Sequence, residues 1–368
     1  MEPEIKQRLE ENLGSAREEV KRASEKLQEI KRKLASGKLA DSPAVIGAVS
    51  DAWDAIASGD KGRASAAIAR CLAHIESLEA YGVDKPIHII EREDKEGIPF
   101  PREWSLGISI PSSYPTVIGG FPGHGKTTTV LNLLLELVQK KKRSLFVSLE
   151  MRKTPVARKL AIMDQMIALE NESMDWDQSA AFIKSSAGKE RLEKISEFFR
   201  MKDVGPSASF TVSNLFATVD SYVRSGFAPQ VIVLDYFQAL EHNGEENKDL
   251  ARSMKQITRF CEQVQIPFIL LSQLARTSYK EYGAATLASY QGTSQIEKDA
   301  GLAINTARII GPKDGPYDAT ILRVVKNRLG GSQFAVACKL HRQTQTIIGT
   351  IGMDEVVEWI KEHKKSHV

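Results

Sequence analysis

At 368 residues with 42% hydrophobic side chains, the chain has room for one large domain with a real core plus a smaller one, which excludes a fibre or a wholly disordered chain. Lys+Arg 50 against Asp+Glu 47 leaves a formal charge of +3, so any contact with a polyanion must come from local patches rather than the overall field. The three cysteines, Cys71, Cys261 and Cys338, lie far apart with no C-x-x-C pair, which argues for a reducing compartment and against a disulfide framework or structural zinc.

The first residues, MEPEIKQRLEENL, are charged and lack an apolar stretch, so a secretory signal is not expected. The most apolar run, Val130 to Val138, is interrupted by Asn132 and Glu136 and is too short to span a bilayer. A cytoplasmic protein without membrane contact is the expectation. From Ile5 to Leu34 apolar residues recur at steps of three and four among Glu, Lys and Arg, which predicts an amphipathic helix with a heptad-like seam. Further helices are predicted over 42–58 and 62–81, making 1–85 a small α-helical region. The proline-punctuated, mixed-charge stretch that follows reads as a linker over 86–113.

From residue 114 to 368 the pattern changes to short apolar runs alternating with helical stretches. The runs are PTVIG, SLFVSL, VIVLD, PFILLS, LAINTARII, ATILRVVK and FAVACKL. The section from Thr154 to about Arg200 reads as helical. Such alternation predicts an α/β domain with a mostly parallel sheet covered on both faces.

The first run leads into Gly120-Phe121-Pro122-Gly123-His124-Gly125-Lys126-Thr127, which fits G-x-x-x-x-G-K-[ST]. Glycines there let main-chain N–H groups converge on phosphate oxygens, Lys126 reaches the β- and γ-phosphates, and the Thr127 hydroxyl holds Mg²⁺. The helix starting at Lys126 adds its N-terminal dipole. A nucleoside triphosphate with Mg²⁺ is therefore expected at Gly120, Gly123, His124, Gly125, Lys126, Thr127 and Thr128.

In an open α/β sheet ligands bind at the C-terminal strand ends. VIVLD ends in Asp235, an acid suited to organise Mg²⁺ one strand from the phosphate loop. SLFVSL is followed by Glu150, one strand over, suited to orient and deprotonate a water. Acids in such places also serve as helix caps or surface partners. Gln273, just beyond PFILLS, can sense a γ-phosphate and relay hydrolysis to the loop after it. That loop, 274–292, interleaves Arg276 and Lys280 with Tyr279, Tyr282 and Tyr290, which suits single-stranded nucleic acid as well as a plain surface. Lys326 and Arg328, at i and i+2 of an extended segment, point the same way and form either a surface pair or a neighbouring subunit's arginine finger.

The ordered set GFPGHGKT, VSLEM, VIVLDYFQAL, ILLSQLAR, QGTSQIEKDA and VVKNRLGG resembles the RecA-like ATPase domain of DnaB-type replicative helicases, over about residues 97 to 350. The resemblance implies a ring, usually a hexamer, that hydrolyses ATP at subunit interfaces and moves along single-stranded DNA. It implies Lys126 and Thr127 as the phosphate-loop pair, Glu150 as catalytic glutamate, Asp235 as the metal-organising aspartate and Gln273 as sensor. Lys326 and Arg328 become the cations given to the adjacent subunit, and the segment around Gln291, Gly292, Thr293 and Ser294 becomes a central DNA-binding loop. Two departures bear on DNA: Gln291 stands where the family commonly has Arg, and Gly301 where it often has Asp. Main-chain N–H groups at Gly292, Thr293 and Ser294 remain able to hold phosphates. The N-terminal helices are short for the family's collar, and dimerisation, a loader or a primase are the partners they imply. The alternative function is a RecA-like switch, helicase loader or recombination mediator that binds nucleic acid without unwinding it.

Overall fold

The computed structural model describes residues 97–169, 176–205, 209–241, 246–275, 290 and 294–365. The helices expected over 5–34, 42–58 and 62–81 lie outside the described residues, as do Arg276, Lys280, Gln291, Gly292 and Thr293. The chain divides into two compact units, 92–210 with 226–368, and 1–91 with 211–225.

In the first unit, β1 (Ile98–Pro99) pairs antiparallel with β2 (Ser109–Ile110) around a 3-10 turn, Arg102–Trp104. This part of the stretch read as linker buries Ile98, Phe100, Trp104, Leu106 and Ile110 in the main core. Aromatic and branched side chains among its prolines supply that burial, so the segment packs rather than spans.

A nine-stranded sheet follows. Its strands are β3 (Thr116–Gly120), β4 (Ser144–Ser148), β5 (Phe199–Asp203), β6 (Val231–Asp235), β7 (Phe268–Gln273), β8 (Leu302–Ile309), β9 (Tyr317–Asn327), β10 (Phe334–His341) and β11 (Ile347–Ile351). The spatial order is β11-β10-β9-β8-β3-β7-β6-β4-β5. Strands β8, β3, β7, β6, β4 and β5 run parallel, and β9, β10 and β11 extend the sheet antiparallel. Central strands β3, β4 and β6 are buried at every position, which is why they read as unbroken apolar runs.

The helices of this unit are α1 (Lys126–Gln139), α2 (Lys153–Leu169), α3 (Trp176–Lys184), α4 (Ser186–Phe198), α6 (Glu246–Val264), α7 (Gln295–Asp299) and α8 (Met353–Lys365), with α5 belonging to the second unit. Helix α1 buries Val130, Leu131, Leu133, Leu134, Leu135 and Leu137, and it packs on β3, β4, α2 and α4. Alternate residues Ile118, Phe146, Val233, Ile269 and Ile304 meet it from the sheet. Helix α6 turns Leu250, Met254, Ile257, Phe260 and Cys261 inward, and Phe260 meets Phe268 edge-on at 6.1 Å. Helix α8 closes the antiparallel end, where Val356 clusters with Ile309, Ala319, Ala337 and Ile351.

The span 154–200 is not one helical section. It holds α2, α3 and α4 and ends in β5, whose sequence FRMKD has no apolar run because an edge strand pairs on one side only, here with β4. Ser185 separates α3 from α4 as N-cap, its hydroxyl accepting from Gly188 N at 3.1 Å.

In the second unit, α5 spans Val212–Arg224. Thr211 Oγ1 accepts from Asn214 N at 3.2 Å and Asn214 Oδ1 accepts from Thr211 N at 2.9 Å, a reciprocal capping box. The helix buries Leu215, Phe216 and Val219 on one stripe and pairs Arg224 with Asp220 at 2.8 Å.

Candidate active site

Strand β3 delivers the chain into the phosphate loop with little room to spare. A Cβ on Gly120 would stand 2.5 Å from Thr306 Oγ1, so any larger residue here would displace Thr306. The loop then turns through His124 N to Phe121 O (3.1 Å). Gly123 and Gly125 have φ of +79° and +83°, and beyond their own chain neighbours no heavy atom lies within 4 Å of where their Cβ would be. Their inner surface is bare main chain, which an approaching oxyanion requires.

Lys126 Nζ donates to the carbonyls of Gly120 (2.9 Å) and Phe121 (3.2 Å). Burial holds this ammonium below the usual lysine range, against the pull of Asp235 and Glu150. The His124 ring packs edge-on against Phe121 at 5.6 Å, and burial and then Lys126 lower its pKa, which keeps the imidazole neutral at pH 7.

Asp235 closes β6 with 1% of its surface exposed. Burial above all raises its carboxyl to about 6; the Thr127 hydrogen bond opposes this, Glu150 adds to it, and Lys126 and Lys159 oppose it. Thr127 Oγ1 donates to Asp235 Oδ2 at 2.9 Å, while buried Oδ1 has no hydrogen-bond partner. A hydroxyl beside a carboxylate with one buried oxygen unsatisfied is a donor set that fits a hard dication. The expected adjacency needs correction: β7 lies between β3 and β6, so the phosphate loop is two strands from Asp235, not one. Side-chain reach closes the gap, Thr127 being the second residue of α1.

Glu150 is indeed one strand over. Ser148 on β4 is the register partner of Asp235, and Leu149 N donates to Asp235 O at 2.6 Å, leaving exposed Glu150 just beyond. Its charge acts on Asp235, Lys126 and Tyr236. Gln273 closes β7, half-buried, with Gly120 as its register partner.

Three further residues complete the surroundings. Gln345, in the β10–β11 turn with φ +57°, accepts at Oε1 from Thr128 Oγ1 (3.1 Å) and Lys159 Nζ (2.9 Å). Lys159, from α2, is held below its usual range by burial and then by Arg308, with Asp235 pulling the other way. Gln238 holds the end of β7. Sequence reading gave none of the three a role, although Gln238 lies within the run VIVLDYFQAL, because their partners are set by the tertiary fold.

Lys326 and Arg328 converge as expected of i and i+2, and their target is the C-terminal end of α7 in their own chain. Lys326 Nζ donates to Glu297 O (2.6 Å) and Lys298 O (3.2 Å), and Arg328 donates to Lys298 O (2.5 Å). The Arg328 guanidinium also lies over Tyr114, 4.8 Å from the ring centroid. Gly301 leaves space for that tyrosine, because a Cβ there would stand 2.4 Å from Tyr114 Cβ. Ser294 is exposed at the N-terminus of α7 and makes no side-chain cap bond.

Tyr290 is not the stacking platform that its place among basic residues suggested. Its ring is buried against Gly119, where a Cβ would meet Tyr290 Cε1 at 2.5 Å, and its hydroxyl donates to Asn305 Oδ1 at 2.9 Å.

A parallel sheet with this phosphate loop on one strand and a buried aspartate on another defines a RecA-like P-loop ATPase domain. More narrowly, the chain belongs to the family of the DnaB-like helicase C terminal domain, whose model matches residues 111–346. That family consists of ATP-hydrolysing DNA helicases of replicative type. A solved ATPase-domain structure aligns with TM-score 0.55 at 16% identity, covering 76% of this chain and 97% of that one. Another, of a DnaB-like replicative helicase and its interactions with primase, aligns with TM-score 0.56 at 16% identity, covering 84% of this chain and 76% of that one. Both likenesses are of fold. A comparison with curated proteins gives no match. No helix among the described residues is long and apolar enough to cross a membrane.

Proposed function

We propose that this protein is a ring-forming, ATP-driven translocase that moves along single-stranded DNA and separates strands, with each ATP site completed by a neighbouring subunit. The observation that carries the ATPase is the Thr127–Asp235 hydrogen bond of 2.9 Å beneath the open glycine loop, with Asp235 Oδ1 left unsatisfied. Thr127 and Asp235 would hold Mg²⁺, which would supply neutralisation of the phosphate charge.

The chain's own groups do the rest. Main-chain N–H groups of Gly123, His124 and Gly125 bind phosphate oxygens, with Thr128 beside them. Lys126 exchanges the Gly120 and Phe121 carbonyls for the γ-phosphate. Glu150, exposed just beyond β4, takes a proton from the attacking water as it bonds to the γ-phosphorus and ADP leaves. Gln273 orients that water. Lys326 and Arg328 of each subunit leave the end of α7 for the next subunit's γ-phosphate. DNA contacts fall to Arg276, Lys280, Gln291, Gly292, Thr293 and Ser294. The N-terminal region, which the sequence pattern reads as helical, is where a primase or loader would dock.

Glu150→Gln should lower steady-state hydrolysis by about a hundredfold while ATP still binds; unchanged hydrolysis would remove Glu150 from the mechanism. A forked-duplex assay over a salt series tests the whole reading. Strand separation with single-strand-stimulated hydrolysis is expected, whereas stimulation without separation favours the switch or loader.

A further inference from the structure

Strands β6 and β7 stop pairing before either reaches the active site. Their registered partners are Ile232 with Phe268, Val233 with Ile269 and Leu234 with Leu270, and pairing goes no further. Gln273 lies three residues beyond the last of these. On its other side β7 stays paired with β3 as far as Gly120 and Gln273, the first residue of the phosphate loop being Gly120 itself.

The lost partner on the β6 side is replaced by one side chain. After Asp235 the chain forms a 3-10 turn, Phe237–Ala239, pinned by Phe237, which is completely buried. From this turn Gln238 Oε1 accepts from Gln273 N at 3.1 Å. Its Nε2 donates to Ser272 Oγ at 2.7 Å and to Gln273 O at 3.4 Å. An amide offering one acceptor and one donor to the main chain of a single residue does what an adjacent strand would do. The Gln273 N–H needs an acceptor, and that fixes which way the amide faces.

We propose that Gln238 is a positioning residue for hydrolysis, a clasp that fixes the main chain of Gln273 relative to Asp235 and so aims the Gln273 side chain at the γ-phosphate. Gln273 is held from both sides by residues of the nucleotide site: Gly120 across β3 and Gln238 from the turn that follows Asp235. A change at either element of the nucleotide site therefore reaches the sensor through one hydrogen-bonded step. The proposal rests on Gln273 as the group that senses the γ-phosphate.

The test is ATP hydrolysis by the full chain carrying Gln238→Met, which keeps the length and removes both hydrogen-bonding atoms, alongside Gln273→Ala and the double variant. Gln238→Met should lower kcat on the order of tenfold with KM within about twofold, because positioning acts on the transition state and not on nucleotide binding. The double variant should be no slower than Gln273→Ala alone, since a residue acting through another has nothing left to act on. Multiplicative losses in the double variant, as a general structural role would give, overturn the clasp. A slow Gln273→Ala beside a normal Gln238→Met overturns the clasp and spares the sensor. A normal Gln273→Ala overturns both. If Gln238→Met fails to fold in a thermal melt, Ser272→Ala removes one of the partners of Nε2 and should lower kcat by about threefold, unchanged turnover counting against the proposal.

Discussion

Asp235 is the residue at which stability and chemistry pull in opposite directions. Raised from 3.8 to about 6, chiefly by burial, it keeps a proton in the folded protein at pH values where the unfolded chain has lost it. The folded state therefore binds more protons between those values, and stability falls as pH rises through that window. Above pH 6 the buried charge costs about 3 kcal/mol, the equivalent of a shift of roughly two units. Asp235→Asn keeps an acceptor for Thr127 and removes the charge. The nucleotide-free variant should then be more stable than the parent at pH 8, with the difference vanishing near pH 4, and its hydrolysis should fall by about a hundredfold or more. Urea denaturation at the two pH values measures this, and parallel pH profiles for the two proteins would count against it. In the parent, binding of Mg²⁺ with nucleotide should weaken as pH drops below 6, because only the ionised carboxylate ligates. Asp235 was legible in the sequence because an acid ending an apolar strand is a local pattern, and so was the glycine loop. Gln345 was not: it stands 217 residues from Thr128, and no spacing rule connects a hairpin turn to the first turn of a phosphate-loop helix.

Between elements, the consequential contact is that of the β10–β11 hairpin with α1. Asn132, a polar residue buried among the leucines of α1, brackets the turn: its Nδ2 donates to Gln345 O (2.9 Å) and its Oδ1 accepts from Ile347 N (2.9 Å). It also bonds Thr128 O at 2.9 Å, so one side chain joins the first turn of α1 to the end of the sheet. Asn132→Leu leaves the Ile347 N–H and the Gln345 carbonyl without these partners and should cost about 2–4 kcal/mol. Gln345→Ala, losing only the bonds to Thr128 and Lys159, should cost about 1–2 kcal/mol in a melt and weaken ATP binding through Thr128. If Asn132→Leu matches the parent, the hairpin is not held by this bracket. In the sequence Asn132 read only as an interruption of the apolar run Val130 to Val138. Elements paired on both sides were written plainly, since complete burial demands continuous apolar residues. β5 and β11 were not, because edge strands pair on one side and tolerate charge or glycine. Residues 97–113 were obscured differently, by prolines among the aromatic and branched side chains that pack them into the core.

At the scale of the whole molecule, the placement of Lys326 and Arg328 decides what kind of machine the chain builds. Both cations hold carbonyls at the end of α7, the helix that follows the segment read as DNA-binding. An Arg328 committed to its own chain would be a structural residue, and its loss would be felt in cis. An Arg328 that crosses to a neighbour makes every active site the joint property of two copies, as a head-to-tail ring requires. Mixing variants separates the two cases. Arg328→Ala subunits keep Lys126 and should bind ATP without hydrolysing it. Lys126→Ala subunits cannot use their own site but still carry Arg328. Neither ring alone should turn over. In an equimolar mixture about a quarter of the interfaces pair an intact phosphate loop with an intact Arg328, so hydrolysis should recover towards that fraction of the parent rate if sites act independently. Arg328→Lys should restore less than the charge alone predicts, because an ammonium lacks the planar fork that meets two phosphate oxygens and stacks on Tyr114. An inactive mixture, in particles whose mass shows that both variants have entered one ring, would assign Arg328 to the fold of its own subunit.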